Sequence, residues 1–303
     1  MSLFNKLIVT TLPLVPKFIV GKVASKYVAG ETLAQAVETI KALNAEGACC
    51  TVDLLGEEIT QMSTAVEAVK VYEDVLDAIA KHDLDCNISV KPTQLGLNLD
   101  EGQCRDLYDR LVGKAHGMNC FVRLDMEDRH TTDATLRIYR FLHEKYVGDG
   151  PVVGPVFQAY MRRTLQDIAE LPKERANVRL CKGIYIEPRE TAWKGFETVR
   201  RNFVASLEKL FRQDVYVGIA THDEYLCCAA VELIDRLGVP KDRYEFQMLL
   251  GVDAQLRRIL IAEGHKLRVY VPYGQDWYLY SMRRLRENPQ VAGHVMRAML
   301  RGE

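Results

Sequence analysis

The sequence predicts a (βα)8 barrel of the TIM type. Eight short apolar segments alternate with longer amphipathic segments along the 303 residues. Eight strand–helix units in about 250 residues match the size of such a barrel. The apolar segments show no polar alternation, which is typical of parallel strands buried on both faces. A doubly wound sheet is the alternative, but the sequence contains neither G-x-G-x-x-G nor G-x-x-x-x-G-K-[ST].

A helical arm precedes the first strand. Residues 16–27 and 31–46 carry apolar side chains at helical spacing, and Gly47 is placed to end the second helix. The predicted strands are 48–55, 86–90, 118–124, 152–158, 177–181, 215–220, 244–248 and 267–271. The predicted helices between them include 60–81, 102–114, 133–145, 192–211, 223–236 and 254–263. No low-complexity linker interrupts this order, so we expect a barrel domain of residues 48–303 after an arm of residues 1–47.

The balance of charge argues against a nucleic-acid partner. The chain carries 40 Lys and Arg against 41 Asp and Glu, whereas nucleic-acid-binding proteins usually have a basic excess or patch. None of the eight cysteines forms a C-x-x-C motif, and most lie in apolar segments, as in a reduced cytosolic protein. We find neither a membrane span nor a signal peptide and expect a cytoplasmic protein. The first residues form either an ordinary packed helix or an amphipathic surface arm.

Polar side chains stand where most predicted strands end, which is the edge of a barrel at which catalytic residues gather. They are Asp53, Glu57, Lys91, Asp125, Gln158, Arg179, Lys182, Thr221, His222, Gln247 and Tyr270, and Gly183 follows Lys182. Single members have a structural explanation: Asp125 could pair with Arg179 or Lys91, and His222 could cap the helix that follows it. Taken together, however, the set indicates a ligand site.

A predicted helix near the C-terminus has a basic face. The residues of that face, at three- and four-residue spacing, are Tyr280, Arg283, Arg284 and Glu287. The pattern alone favours a solvated basic helix. Together with Lys91, however, the two arginines supply three cations, enough to hold a small carboxylate by charge-assisted hydrogen bonds.

Lys182 leaves two kinds of chemistry open. A lysine on a barrel strand could form a Schiff base, as in aldolases. Its neighbour Gly183 suits a backbone turn that approaches a cofactor phosphate. We expect no metal, because no Cys/His cluster has metal-ligand spacing, and no nucleophile elbow is present. Hydride chemistry would require a bound cofactor, because side chains do not accept hydride.

Eight motifs, in order over roughly residues 48–290, resemble those of the proline dehydrogenase family. They are Asp53-Leu54-Leu55-Gly56-Glu57, Ser89-Val90-Lys91, Arg123-Leu124-Asp125-Met126-Glu127, Phe157-Gln158-Ala159-Tyr160, Arg179-Leu180-Cys181-Lys182-Gly183-Ile184-Tyr185, Ala220-Thr221-His222, Glu245-Phe246-Gln247-Met248-Leu249 and Tyr280-x-x-Arg283-Arg284-Leu285-x-Glu287-Asn288. The fifth and the last are highly specific in combination. The length is similar to that of the monofunctional bacterial enzymes and leaves no room for the aldehyde dehydrogenase module of the bifunctional proteins.

The resemblance implies a distorted barrel that binds FAD without a Rossmann motif and carries its last helix over the barrel mouth. It implies oxidation of L-proline to Δ1-pyrroline-5-carboxylate, the first step of proline catabolism, with electrons passed on to a membrane quinone. A quinone acceptor in turn implies loose peripheral contact with the inner face of the cell membrane.

The resemblance also assigns roles by position. The proline carboxylate would be held by Lys91, Arg283 and Arg284. The proline ring would be enclosed by Tyr185, Leu249, Tyr270 and Tyr280. Asp125 and Arg179 would act at the flavin and the substrate. FAD would contact Met126, Gln158, Arg179, Lys182, Gly183, Ile184, Thr221 and His222. Glu57 would gate the pocket by pairing with Arg283, and Glu287 would hold the arginines. Ile186 departs from the pattern, because some relatives carry an aromatic residue there.

We expect direct hydride transfer from C5 of proline to flavin N5. Anchoring the carboxylate places the ring by shape and makes the reaction effectively intramolecular. Asp125 is the nearest candidate base for the proline amine, but an adjacent Arg179 would weaken it, and water is the alternative acceptor. A Schiff-base aldolase and a non-catalytic, membrane-associated binding barrel stay open as other readings.

Overall fold

Eight parallel strands form the centre of the computed structural model, which describes residues 21, 26–56, 59–149, 152–172, 174–278 and 280–282. The strands are β1 (Cys49–Leu54), β2 (Cys86–Val90), β3 (Val122–Leu124), β4 (Val153–Gln158), β5 (Asn177–Cys181), β6 (Tyr216–Ala220), β7 (Tyr244–Leu249) and β8 (Leu267–Tyr273). Each strand pairs with the next along the chain, and β8 pairs with β1, so that Cys49 lies opposite Arg268 and Leu54 opposite Tyr273. The sheet is therefore closed, and the predicted (βα)8 barrel is confirmed.

The helices surround the barrel. They are α1 (Leu33–Ala45), α2 (Met62–Lys81), α3 (Glu101–Gly117), α4 (Thr132–Tyr146), α5 (Thr164–Ala169), α6 (Phe196–Arg212), α7 (Glu224–Leu237) and α8 (Ala254–Ala262). The sequence does not predict the short α5, whose six residues are too few for a clear periodicity. In the part of the chain that the structure describes, no helix is both long and apolar enough to cross a membrane.

Two predicted boundaries differ from the structure for local reasons. β3 begins at Val122 rather than at residue 118, because Asn119 takes a left-handed conformation (φ +52°) that turns the chain first. α6 begins at Phe196 rather than at residue 192. Ala192 instead forms an antiparallel bridge with Met161, which holds the loop against the barrel.

The described part of the predicted arm packs on the barrel. α1 begins with a capping box, in which the Thr32 side chain accepts from Gln35 N and Gln35 Oε1 accepts from Thr32 N. Its buried residues Val37 and Ile40 belong to the same apolar core as the strands, and the helix contacts β1 and β8. Residues 1–20 and 22–25, with most of the predicted helix 16–27, lie outside the described residues.

The strands alternate apolar and polar side chains, so the expectation of strands without polar alternation is wrong. In β7, Phe246 and Met248 pack in the apolar core, whereas Glu245 and Gln247 line cavities of the barrel. The buried polar residues of the strands are Thr51, Asp53, Asn87, Ser89, Arg123, Gln158, Arg179, Glu245, Gln247 and Arg268. Burial on both faces does not require apolar residues on both, because buried polar groups can pair with one another.

Candidate active site

A cavity of about 480 Å³ opens where the carboxyl ends of the strands meet, and we call it the upper cavity. Every described residue to which the resemblance assigns a role lines it: Lys91, Asp125, Met126, Gln158, Arg179, Lys182, Gly183, Ile184, Tyr185, Thr221, His222, Leu249, Tyr270 and Tyr280. Glu57, Arg283, Arg284 and Glu287 lie outside the described residues. The structure thus brings the predicted residues together at the face where barrel enzymes carry out catalysis, while their individual roles stay predictions.

Asp125 and Arg179 form an ion pair inside the upper cavity. Arg179 Nη1 donates to Asp125 Oδ1 at 2.8 Å, and the Ser89 hydroxyl donates to the same oxygen at 2.7 Å. Tyr270 Oη lies 3.5 Å from the other carboxylate oxygen, at the limit of a hydrogen bond. Burial raises the pKa of Tyr270 well above its usual value, so its hydroxyl keeps its proton and remains a donor. These contacts fix the carboxylate in one orientation.

Lys91 is held by the carboxylate of Asp53, a strand-end residue to which the resemblance assigns no role. Its Nζ lies 2.7 Å from Asp53 Oδ2, and the two side chains are 7% and 0% exposed. Burial raises the pKa of Asp53, and the charge of Lys91 opposes that rise. An ammonium group carries three N–H donors, so the pair uses one of them and orients the others. Of the two partners expected for Asp125, the structure shows Arg179 and not Lys91.

A chain of buried hydrogen bonds supports Arg179 from below. Arg179 Nε donates to Gln247 Oε1 at 2.6 Å, and Gln247 Nε2 donates to Glu245 Oε1 at 2.7 Å. The same carboxylate oxygen accepts from Arg268 Nε at 2.7 Å. Gly218 makes this arrangement possible, because a Cβ there would lie 2.3 Å from Gln247 Nε2. The chain fixes the guanidinium plane beside Asp125.

Comparison with known proteins identifies the family. The sequence model that matches residues 36–297 describes the family as proline dehydrogenase. The chain belongs to the proline dehydrogenase family. It is therefore an enzyme, and proline dehydrogenation is the first step of proline catabolism. This membership excludes both the Schiff-base aldolase and the non-catalytic binding barrel.

Two curated relatives match over nearly their whole length. Proline dehydrogenase 1 of Bacillus subtilis (strain 168) is 34% identical over 278 residues, which are 92% of this chain and 91% of that protein. The proline dehydrogenase of Deinococcus radiodurans is 35% identical over 282 residues, 92% of this chain and 90% of that one. Among solved structures, proline utilization A (PutA) from Bdellovibrio bacteriovorus, inactivated by N-propargylglycine, has a similar fold, with a TM-score of 0.82 at 24% identity. The match covers 88% of this chain and 33% of that longer one.

The loop after β5 brings backbone to the rim of the upper cavity of this proline dehydrogenase. Gly183 has φ +102°, and a Cβ there would lie 2.2 Å from the ring of Tyr160, so the loop requires glycine. Beside it, Lys182 Nζ lies 3.2 Å from Asp223 Oδ2 and Arg200 Nη2 lies 2.7 Å from Asp223 Oδ1. Two cations share one carboxylate at this rim. A flavin nucleotide fits this combination, because its phosphates need positive charge and close backbone approach.

His222 does not cap the following helix. Its Nε2 accepts from Leu249 N at 2.8 Å, and the N-cap residue of α7 is Asp223. The capping alternative is therefore wrong, and the contact instead ties the end of β6 to the end of β7. On the other side of the barrel, Gln158 Nε2 donates to Glu127 O at 2.7 Å. These bonds hold the predicted cofactor contacts in place.

The resemblance assigns no role to several residues of the cavity lining: Thr51, Val156, Cys181, Phe196, Arg200, Ala220, Asp223, Met248 and Arg268. Phe196 and Arg200 lie on α6, and the Arg200 guanidinium carbon is 4.2 Å from the centre of the Phe196 ring and 4.7 Å from that of Tyr225. A helix start carries no strand-end signal, so the sequence offers no sign of these two. Ile186, by contrast, is 99% exposed and is absent from the cavity lining.

Proposed function

We propose that the upper cavity binds L-proline and FAD and oxidises proline to Δ1-pyrroline-5-carboxylate. When bound, FAD supplies the acceptor for a hydride that leaves C5 of proline and arrives at flavin N5. The observation that supports this assignment best is the presence of two oriented ion pairs, Lys91–Asp53 and Arg179–Asp125, at the upper cavity. The Lys91–Asp53 pair presents a cation to a carboxylate ligand. The Arg179–Asp125 pair presents a fixed dipole beside the predicted flavin contacts.

Lys91 binds the substrate carboxylate in this proposal. Its ammonium is buried, so a charge-assisted hydrogen bond to proline is formed away from competing water. Asp53 keeps the ammonium in place before the substrate arrives, which lowers the entropic cost of ordering the Lys91 side chain on binding. Arg283 and Arg284 also bind the carboxylate. Glu57 controls access to the pocket, and Glu287 holds the two arginines in position. These four roles come from the family resemblance, and the four residues lie outside the described part of the chain.

Apolar side chains place the proline ring and exclude water. Tyr280 is buried and Tyr270 half-buried, and both line the cavity with Leu249, which ends β7. Tyr280 also packs against Val28 and Leu55, which ties this wall to the chain before α1. Tyr185 closes the ring pocket from the loop after β5. The pocket shape fixes the proline ring and the cations fix its carboxylate, so C5 is held in one position. Binding therefore orients C5 for hydride transfer.

Asp125 and Arg179 act by position and charge rather than by proton transfer. Asp125 Oδ1 accepts from both Arg179 and Ser89, and Oδ2 faces Tyr270. Both carboxylate oxygens are already engaged by protein donors. We therefore assign the proton of the proline amine to solvent water, and the ion pair to orientation of the substrate and the flavin.

The cofactor contacts come from four strand ends. Met126 and Gln158 follow β3 and end β4, and Thr221 and His222 follow β6. The loop after β5 adds Lys182, Gly183 and Ile184, with Arg179 below them. Lys182 supplies positive charge to the phosphates, and Gly183 lets the backbone approach them.

A lipid-soluble quinone takes the electrons in this proposal. Apolar side chains are exposed on the loop after β5 and at the start of α6, where Ile184 is 41%, Ile186 99% and Phe196 57% exposed, and Ile184 and Phe196 also line the cavity. Exposed apolar residues grouped at one site are typical of a docking surface. In Ile186→Ser, activity with a quinone in liposomes should fall severalfold, while activity with a soluble dye acceptor stays unchanged. Equal loss with both acceptors would contradict a docking role.

The N-terminal segment is tested separately. Deletion of residues 1–28 followed by a liposome-binding assay shows whether this segment contributes to membrane contact.

The visible spectrum of the purified enzyme tests the proposal as a whole. We expect flavin absorption that bleaches when L-proline is added without oxygen and returns when a quinone is added. D-proline, which presents its carboxylate on the other face of the ring, serves as the control and should bleach the spectrum far more slowly. A colourless protein that cannot be reconstituted with FAD would refute the cofactor assignment, and a flavin that proline leaves oxidised would refute the substrate assignment.

A further inference from the structure

A second cavity, also of about 480 Å³, lies at the opposite end of the barrel, where the strands begin, and we call it the lower cavity. Five cationic side chains line it against two carboxylates, those of Asp242 and Glu245. The cations are Arg123, Arg175, Arg243, Lys266 and Arg268. A concave site with this excess of positive charge attracts anions, because low-dielectric walls focus the field.

Arg123 is the central feature of the lower cavity. It is 2% exposed, and its guanidinium donates to Pro155 O at 3.0 Å, to Asn177 O at 2.9 Å and to Asn177 Oδ1 at 2.5 Å. All these partners are neutral. Among the residues that the structure describes, Nε of Arg123 has no hydrogen-bond partner. A buried cation with only neutral partners and an unused donor is an unusual arrangement, because buried charges are normally paired.

The barrel is built to admit this guanidinium. A Cβ at Gly154 of β4 would lie 2.7 Å from Arg123 Nη1 and 2.9 Å from the ring of Phe121. The Arg123 guanidinium carbon in turn lies 4.6 Å from the centre of that ring. Burial, and next the charge of Arg179, lower the pKa of Arg123 to about 9, so the side chain is still a cation at neutral pH. An anion beside it would stabilise that charge.

Glu245 is not the missing counter-ion. Its Oε1 accepts from Arg268 Nε at 2.7 Å and from Gln247 Nε2 at 2.7 Å, and its Oε2 accepts from the Tyr216 hydroxyl at 2.9 Å. Burial opposes ionisation of Glu245, but Arg268 outweighs burial and lowers the pKa to about 2. This carboxylate is therefore charged and already committed to Arg268.

Arg243 adds a second unused donor at the same cavity. Its Nη2 pairs with Asp214 Oδ1 at 3.0 Å, while its Nε is buried and lacks a hydrogen-bond partner in the described part of the chain. Lys266 stands at the rim, half-exposed, with its Nζ 3.7 Å from Glu245 Oε2. Guanidinium groups and an ammonium group, here those of Arg123, Arg243 and Lys266, are the donors that an oxygen-rich anion requires.

We propose that the lower cavity is a binding site for a small oxyanion, held by the guanidinium groups of Arg123 and Arg243 that line it, with Lys266 at its entrance. Phosphate and carboxylate groups share the chemistry that this donor set recognises. The site lies at the opposite end of the barrel from the upper cavity and includes none of the residues assigned to proline or FAD.

A thermal-shift titration of the FAD-saturated enzyme tests the site. Phosphate is raised at constant ionic strength, balanced with chloride, and succinate is used in a parallel series. We expect a saturable rise in melting temperature with one or both anions, since a ligand that binds only the folded state stabilises it. Loss of one charge-assisted hydrogen bond in Arg243→Gln should weaken the apparent affinity by roughly tenfold or more. Arg140→Gln, which removes an equal charge from α4, should behave as the wild type.

The location is tested by selenate soaked into crystals of the enzyme, followed by anomalous scattering. A peak between Arg123 and Arg243 supports the proposal. The proposal is overturned by three outcomes: stabilisation that chloride reproduces, an equal response in the Arg243→Gln and Arg140→Gln variants, or selenate on surface lysines alone with only water beside Arg123. The succinate series decides between the sources, because a carboxylate ligand should make succinate at least as effective as phosphate.

Discussion

Replacing Lys91 by methionine separates substrate binding from stability in this enzyme. The change removes the ammonium that we assign to the proline carboxylate and leaves Asp53 without its 2.7 Å partner. Loss of one charge-assisted contact should cost about 1.5–3 kcal/mol of transition-state binding. This corresponds to a decrease in kcat/KM for proline of roughly 10- to 150-fold, mostly through KM.

The same substitution should destabilise the fold. Both side chains of the pair are nearly inaccessible to solvent, 7% for Lys91 and 0% for Asp53. Breaking a buried pair by removing one partner costs about 3–5 kcal/mol, because it strands a charge. Removing both partners costs much less. The double variant Lys91→Met/Asp53→Asn should therefore recover most of the free energy of unfolding while its kcat/KM stays low.

The stability loss in Lys91→Met should depend on pH. Burial raises the pKa of Asp53, and without Lys91 nothing opposes that rise within the pair. An acid whose pKa is raised by folding stabilises the fold below its unfolded pKa of about 4 and loses this contribution as pH rises through the folded pKa. The deficit relative to the wild type should be smallest near pH 4–5 and larger at pH 8.

Urea unfolding at several pH values and steady-state proline kinetics measure the two effects. The reasoning is refuted if the double variant regains wild-type proline kinetics, because substrate binding would then not depend on the Lys91 ammonium. It is also refuted if Lys91→Met unfolds as the wild type does at pH 8.

Three further substitutions test other parts of the site. Gly183→Ala forces a Cβ into Tyr160 at φ +102°, and the FAD dissociation constant, measured by flavin fluorescence, should rise at least about tenfold. Gln247→Met removes the acceptor of Arg179 Nε, so kcat should fall by roughly tenfold with bound flavin retained. Arg283→Met or Arg284→Met should raise the proline KM by a factor that corresponds to about 1.5–3 kcal/mol.

Each of these variants has a control or a contradicting outcome. Gly117→Ala introduces a methyl group with no neighbour within 4 Å and should leave FAD affinity unchanged. An unchanged kcat in Gln247→Met would show that Arg179 needs no support from below. Proline kinetics like those of the wild type in both arginine variants would remove the C-terminal helix from the substrate site.

The sequence was sufficient to predict the barrel and the composition of its mouth. Eight apolar segments predicted eight strands, and parallel strands necessarily bring their carboxyl ends to one face. Residues as distant as Lys91 and Tyr270 therefore line one cavity. The ion-pair partners could not be predicted from the sequence. Asp53 lies near the end of β1 and Asp125 follows β3, and only the closed register decides that Asp53 pairs with Lys91 and Asp125 with Arg179.

The barrel lumen and the α6 contacts were beyond sequence reasoning for physical reasons. Alternation in a strand such as Glu245–Leu249 usually indicates one solvated face, yet here the polar residues are buried and paired. Arg200 reaches the cavity from a helix start, where neither spacing nor residue type distinguishes it from an ordinary surface arginine. Such contacts arise from how α6 packs on the barrel.

The reductive half-reaction, followed by rapid mixing without oxygen, tests the central claim most directly. Flavin absorbance is recorded with L-proline and with L-proline deuterated at both hydrogens of C5. If the upper cavity transfers hydride from C5 to the flavin, the limiting rate of flavin reduction should fall severalfold with the deuterated substrate. An identical limiting rate for the two substrates, at a step shown to be chemical by its independence of solvent viscosity, would contradict transfer from C5.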